Sequence, residues 1–167
     1  MVKTLEANGK LHPFLPRTRK PPRRRLYLTE RAHHEIANPN SAMNVLKLRG
    51  HIEAALTRWT AGDRIHADDK GKARFLKRLD PPPPEIWEIR VVDPNPQVRI
   101  FGRFAGPDTL IVTSMHTRSY LGKQGSAAWL EALSTCEKTW KSLFPVPPFE
   151  APLVGDYVTE NCDEYRI

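Results

Sequence analysis

Apolar and polar positions alternate with a period of two in two neighbouring stretches of the chain, and a third, mainly apolar stretch follows. In Ile86-Trp87-Glu88-Ile89-Arg90-Val91-Val92, Trp87, Ile89 and Val91 fall on one face and Glu88 and Arg90 on the other. That is the pattern of a β-strand. In the next stretch Val98, Ile100 and Phe104 share a face, with Arg99, Phe101 and Arg103 opposite. Residues 110–115 are apolar enough for a central strand or one covered on both faces. The segments between them, Asp93-Pro94-Asn95-Pro96 and Ala105-Gly106-Pro107-Asp108, are turn sequences. Short turns between consecutive strands predict an antiparallel meander over 86–117.

Helical spacing takes over on either side. Val45, Leu48, Ile52, Leu56 and Trp59 recur every three or four residues, which predicts one amphipathic helix over 42–61. Asn40 or Ser41 is placed to cap it, and Gly62-Asp63 to end it. Ser126 is placed to cap a last helix reaching about residue 144, with Trp129, Leu133, Cys136, Trp140 and Leu143 as its stripe. Leu26-Tyr27-Leu28-Thr29 reads as a short first strand and 31–36 as a helical turn. Residues 63–72 read as a polar loop, 73–79 as a short element and Pro81 to Pro84 as a stiff extended spacer. The expected fold is α+β: a small antiparallel sheet, the three-strand meander plus the short N-terminal strand, packed against two to three helices. The domain is expected over 26–145, after a flexible basic Pro-rich arm over 1–25 and before an acidic tail over 146–167.

Composition narrows the setting. A length of 167 residues with 40% hydrophobic content suits one domain with a modest core. No apolar run approaches the roughly 20 residues of a membrane helix, and the first residues lack the apolar segment of a secretory signal. No membrane association is therefore expected. Cys136 and Cys162 form no CxxC pair or Cys/His array, which points to reduced thiols in a cytoplasmic protein, with no metal and no cofactor expected. The net charge of +7 is unevenly spread. Residues 1–34 hold nine Lys/Arg against two acids, whereas 150–167 hold five acids against Arg166 alone. A basic arm and a mildly basic body suggest a polyanionic partner, and the acidic tail invites the idea that it folds over the basic surface as a mimic.

Standard catalytic signatures are missing: there is no phosphate loop followed by Lys-Ser/Thr, no GxSxG and no HExxH. His33-His34 reads as a surface pair. What remains is a basic constellation. Arg90, Arg99 and Arg103 project from neighbouring predicted strands, His116, Arg118, Tyr120 and Lys123 follow the third, and Lys77 and Arg78 precede the first. Arginine matches phosphate oxygens in bidentate fashion, histidine exchanges a proton near neutral pH and tyrosine stacks on bases. This set suits RNA binding and metal-independent cleavage by 2′-OH attack. The plainer alternative is that Arg90, Arg99 and Arg103 pair with Glu88, Glu85 and Asp108 on a solvated sheet face.

The stretches RFLKRLDPPPPEIWEIRV, PQVRIFGRF and DTLIVTSMHTRSYLGK, in this order, resemble the RelE/HigB superfamily of type II toxin-antitoxin toxins, including its phage-derived branch. The matching positions are Leu79, Ile86-Trp87-Glu88-Ile89-Arg90, Val98-Arg99-Ile100-Phe101 and Met115-His116 with Arg118. The resemblance spans residues 26–144 and implies a RelE-like fold. It implies an endoribonuclease acting on mRNA at the ribosome and neutralised by a cognate antitoxin. By this carry-over Arg90 and Arg99 bind and stabilise phosphate, His116 or Tyr120 transfers the proton, and Arg118 and Lys123 supply the basic cluster after the third strand. Lys77, Arg78 and Arg103 extend the RNA-binding face. The alternative is a non-enzymatic phage or plasmid accessory protein on the same fold, docking RNA or a protein through its basic face.

Overall fold

The computed structural model describes residues 1–18, 20–68, 75–79 and 84–164. Its centre is the meander: β5 (Trp87–Val91), β6 (Val98–Gly106) and β7 (Thr109–Thr117) pair antiparallel in sequence order. Gly102 lies at a register shift between β6 and β7, where a Cβ would come within 2.5 Å of the Ile111 carbonyl oxygen. Only glycine allows so close an approach.

The sheet extends well beyond these strands. The described strands form one eight-stranded sheet in the order β1-β2-β7-β6-β5-β4-β3-β8. Here β1 is Leu11–Pro13, β2 Arg25–Thr29, β3 Ile65–Asp68, β4 Leu76–Arg78 and β8 Cys162–Glu164. The expectation of a small antiparallel sheet with two to three helices is thereby corrected. The sheet is mixed, since β2 runs parallel to β7 and β3 parallel to both β4 and β8. The added strands have a physical reason. In β2, Leu26 and Leu28 face one apolar cluster and Tyr27 another, so the strand is covered on both faces and β1 takes the edge. In β3, Ile65 and Ala67 are buried while His66 is exposed, an alternation too short to stand out in a segment that reads as loop.

Helices cover both faces. On one side lie α2 (Glu30–Ala37), α3 (Ala42–Val45) and α4 (Arg49–Thr60), which bury Ile36, Met43, Ile52, Leu56 and Trp59 against Trp87, Ile89, Ile100 and Phe104. The single helix expected over 42–61 is broken at Lys47, whose φ of 57° no helix continues. The break rephases the chain, leaving Val45 66% exposed while Leu48 is buried. On the other side lies α6 (Ala127–Leu143), with Trp129 and Cys136 over Phe101, and Trp140 over Tyr27 and Ile111. Ser126 caps it, its Oγ accepting the Trp129 N–H at 3.2 Å. The helix stops before Pro145, which holds Phe144 in extended backbone.

The terminal segments belong to this structure. Residues 1–25, expected to be a flexible arm, contribute α1 (Val2–Ala7) and β1. The segment expected to be an acidic tail contributes α7 (Val154–Tyr157) and β8, and puts Val154, Tyr157 and Val158 into the main core. The expected short element over 73–79 is β4 where it is described. Of the loop expected over 63–72, residues 65–68 form β3 instead, and 69–72 lie outside the described residues, as do 73, 74 and Pro81 to Pro83. Among the described residues no helix is long and apolar enough to cross a membrane.

A candidate anion-binding site on the sheet

Two rungs of the sheet carry the candidate chemistry. In one, Lys77 of β4, Glu88 of β5, Phe101 of β6 and Ser114 of β7 lie side by side. In the next, Arg90, Arg99 and His116 do the same. Both rungs point to the face carrying α6, where the Phe101 and Trp129 rings meet edge to face at 5.5 Å. After β7 the chain turns directly into α5 (Arg118–Leu121), capped by Thr117, whose Oγ1 accepts the Tyr120 N–H at 3.3 Å. This places the Arg118 guanidinium 5.7 Å from the Trp129 ring and the Tyr120 ring nearly parallel to His116, 5.8 Å away.

Glu88 is the hub. It is 2% exposed. Its Oε1 lies 3.3 Å from Arg90 Nε and its Oε2 3.7 Å from Arg99 Nε. Burial raises its pKa above the ordinary carboxyl value, against the pull of Arg99, Arg90, Lys77 and Arg118. Four cations therefore surround one carboxylate, an excess of positive charge in a poorly solvated place. Arg99 is itself buried and its pKa is lowered by desolvation. It donates to the Val98 carbonyl at 3.1 Å and to Gln97 Oε1 at 3.2 Å, so its plane is fixed.

His116 is a neutral neighbour. Burial, with Arg31 nearby, pulls its pKa down to about 4. Its Nε2, the Oε2 of Glu88 and the Oγ of Ser114 are buried with no hydrogen-bond partner among the described residues. Unsatisfied polar atoms beside excess positive charge are what an anion with hydroxyl groups would complete. Among the described residues no three His, Cys, Asp or Glu side chains converge as metal ligands.

Of the residues singled out from the sequence, Arg90, Arg99, His116, Arg118, Tyr120 and Lys77 come together here. Three do not. Arg78 points to the opposite face, bonding Glu85 Oε1 at 2.5 Å with its guanidinium 5.4 Å from the Tyr157 ring. Arg103 is 4% exposed beneath α6, donating through Nε and a terminal nitrogen to the Pro84 carbonyl and lying 5.7 Å from the Trp140 ring. Lys123 is exposed in the loop joining α5 to α6. The alternative of surface pairing holds only for Arg90 and Arg99, which share Glu88, and their face is covered rather than solvated. Glu88 is a functional residue that the sequence reading places only as a pairing partner. The signal was its place on the Arg90 side of β5.

Neither charged terminus joins the cluster. Arg24 is 2% exposed and donates to the carbonyls of Asp63 and Glu160 at 3.1 and 2.6 Å. It lines a hollow of about 510 Å³ near Asp108, at the other end of β7 from His116. Among the described residues the acidic segment does not fold over the basic face: Asp163 pairs with Arg64 at 2.6 Å, and β8 lies on the far edge of the sheet. His33 stacks on His12 with ring centres 4.2 Å apart, away from the two rungs.

Compared with protein-family models, with curated proteins and with solved structures, the chain gives no match in any of the three.

Proposed function

We propose that the two rungs bind the phosphodiester backbone of RNA and cleave it without a metal ion, as the resemblance to RelE/HigB toxins implies. The observation that carries this reading is the gathering of Lys77, Arg90, Arg99 and Arg118 around one buried carboxylate, beside a neutral imidazole whose Nε2 has no hydrogen-bond partner among the described residues. Arg90 and Arg99 hold the phosphate and offset the charge that grows on it in the transition state. His116 Nε2 takes the proton of the 2′-hydroxyl as the 2′-oxygen bonds to phosphorus. The bond from phosphorus to the 5′-oxygen breaks, and the Tyr120 hydroxyl protonates that oxygen, leaving a 2′,3′-cyclic phosphate. Glu88 is a positioning residue that keeps both guanidinium groups aimed. In this reading the substrate is mRNA on the ribosome, and the partner is a cognate antitoxin that silences the site.

The 3% exposure of Arg99 makes it a brace for Glu88 more than a ligand, which favours a second reading, in which the partly exposed Arg90 and Arg118 dock RNA or a protein without cutting. One experiment separates them. Expression in a bacterial host should arrest growth, and purified protein should cleave a labelled RNA to cyclic-phosphate ends. Arg99→Ala and His116→Ala should each lower the rate at least about a hundredfold. Harmless expression, with RNA bound but intact, would leave only the binding reading. Failure to bind RNA would remove cleavage and RNA binding alike and leave only the docking of a protein.

A further inference from the structure

A groove of about 340 Å³ opens beside the second rung, on the other side of His116. Met43, Leu46 and Met115 make its apolar walls, and α2 contributes Arg31 and Glu35. His116 and Tyr120 line its mouth. The volume falls within the range of small-ligand pockets, roughly 300 Å³ upward. Arg31 and Glu35 are four residues apart on α2, hence on one face, and neither side chain makes an ion pair or hydrogen bond among the described residues. Leu46 is 46% and Tyr120 61% exposed, so apolar and aromatic surface is left open at the rim.

His116 belongs to both places: its rung faces the phosphate-binding arginines and its ring borders the groove. A nucleotide whose phosphate sits on Arg99, the neighbour of His116 in the rung, would have its base at the groove. We propose that the groove is a nucleobase subsite that selects guanine, a proposal that rests on the RNA reading of the neighbouring rungs. A carboxylate only accepts hydrogen bonds. Guanine is the one RNA base with two adjacent donors, N1–H and the 2-amino group, on a single edge. Glu35 takes both. Arg31 donates to guanine O6, the acceptor that arginine ordinarily reads. Adenine and cytosine would set a ring acceptor against the carboxylate, and uracil offers one N–H between two carbonyls. The Tyr120 ring stacks on the base, and the methionines pack against its edge.

The test titrates the full chain with the 5′-monophosphates of guanosine, adenosine, cytidine and uridine, and with ribose 5-phosphate as the base-free control. Guanosine monophosphate should bind at least about tenfold tighter than the other three. Glu35→Gln and Arg31→Ala should each abolish that preference, bringing guanosine monophosphate to the level of the other three nucleotides in the same variant. Arg99→Ala should weaken all five alike. Equal binding of the four nucleotides and ribose 5-phosphate would overturn the base subsite and leave the phosphate reading standing. A guanine preference that survives both α2 substitutions, in variants with unchanged melting curves, would overturn it too. No binding of any of the five, together with no binding of RNA, would overturn the phosphate reading and the subsite with it.

Discussion

Glu88 and His116 show how two ordinary titratable side chains acquire unusual states from their neighbours. Glu88→Gln keeps the shape and removes the negative charge that Arg90 and Arg99 share. Burial outweighs the pull of the cations on Glu88, so the neutral side chain should leave the urea midpoint at neutral pH unchanged or raise it, while RNA should be cut more slowly as the two guanidinium groups lose their aim. A clear fall of the midpoint would show that the ionised carboxylate is a net support of the fold. His116 is depressed from 6.5 to about 4, so between these values the unfolded chain binds the proton that the folded chain refuses. Its contribution is therefore complete above about pH 6.5 and is lost as pH falls toward 4. The difference in melting temperature between the native chain and His116→Gln should narrow or reverse across that window. Glu88 acts in the opposite sense, because a raised carboxyl pKa costs stability as pH rises through its window. Comparing both variants with the native chain isolates each.

At the scale of elements, α6 decides which arginines can reach a ligand. Its stripe lays Trp129 and Trp140 on the sheet, and Arg103 is caught beneath it with the Pro84 carbonyl as acceptor. Arg118 sits at the edge of the same helix, beside Trp129 but partly open. Arg103→Ala should therefore destabilise the fold by roughly 2–3 kcal/mol, through a lost buried charge-assisted hydrogen bond and lost packing, and leave RNA affinity as it was. Binding by fluorescence anisotropy below the melting range checks this. A loss of affinity without a loss of stability would put Arg103 back on the binding face.

For the whole molecule, the C-terminal segment works as a structural part. Tyr157 is fully buried, donates its hydroxyl to Glu85 Oε2 at 2.7 Å and accepts the Ala151 N–H at 2.8 Å. Removing residues 150–167 takes Val154, Tyr157 and Val158 out of the main core and uncovers the edge of β3. At about 1.5–3 kcal/mol for each large side chain, that loss approaches the total stability of a domain this size. Deletion should abolish the cooperative melting transition in circular dichroism. A truncated chain that melts as the intact one does, and binds RNA more tightly, would instead restore the idea of a detachable acidic mimic.

The sequence by itself determined the local periods. Alternation in β5 and β6 places Glu88 with Arg90 and Arg99 with Arg103, and Ser126 marks the start of α6, because these properties are written within single elements. It also brought Arg90, Arg99 and His116 to neighbouring strands, since short turns leave little choice of partner. Tertiary structure decided the rest. Strands of three or four residues, such as β1, β4 and β8, are too short to display a period, and they exist because a neighbouring strand offers them hydrogen bonds. Two of the parallel pairs, β2 with β7 and β3 with β8, join segments far apart in the chain. Which arginine is reachable, and which is sealed under a tryptophan, depends on where α6 lies across the sheet. The proton affinities of Glu88 and His116 follow from that same burial.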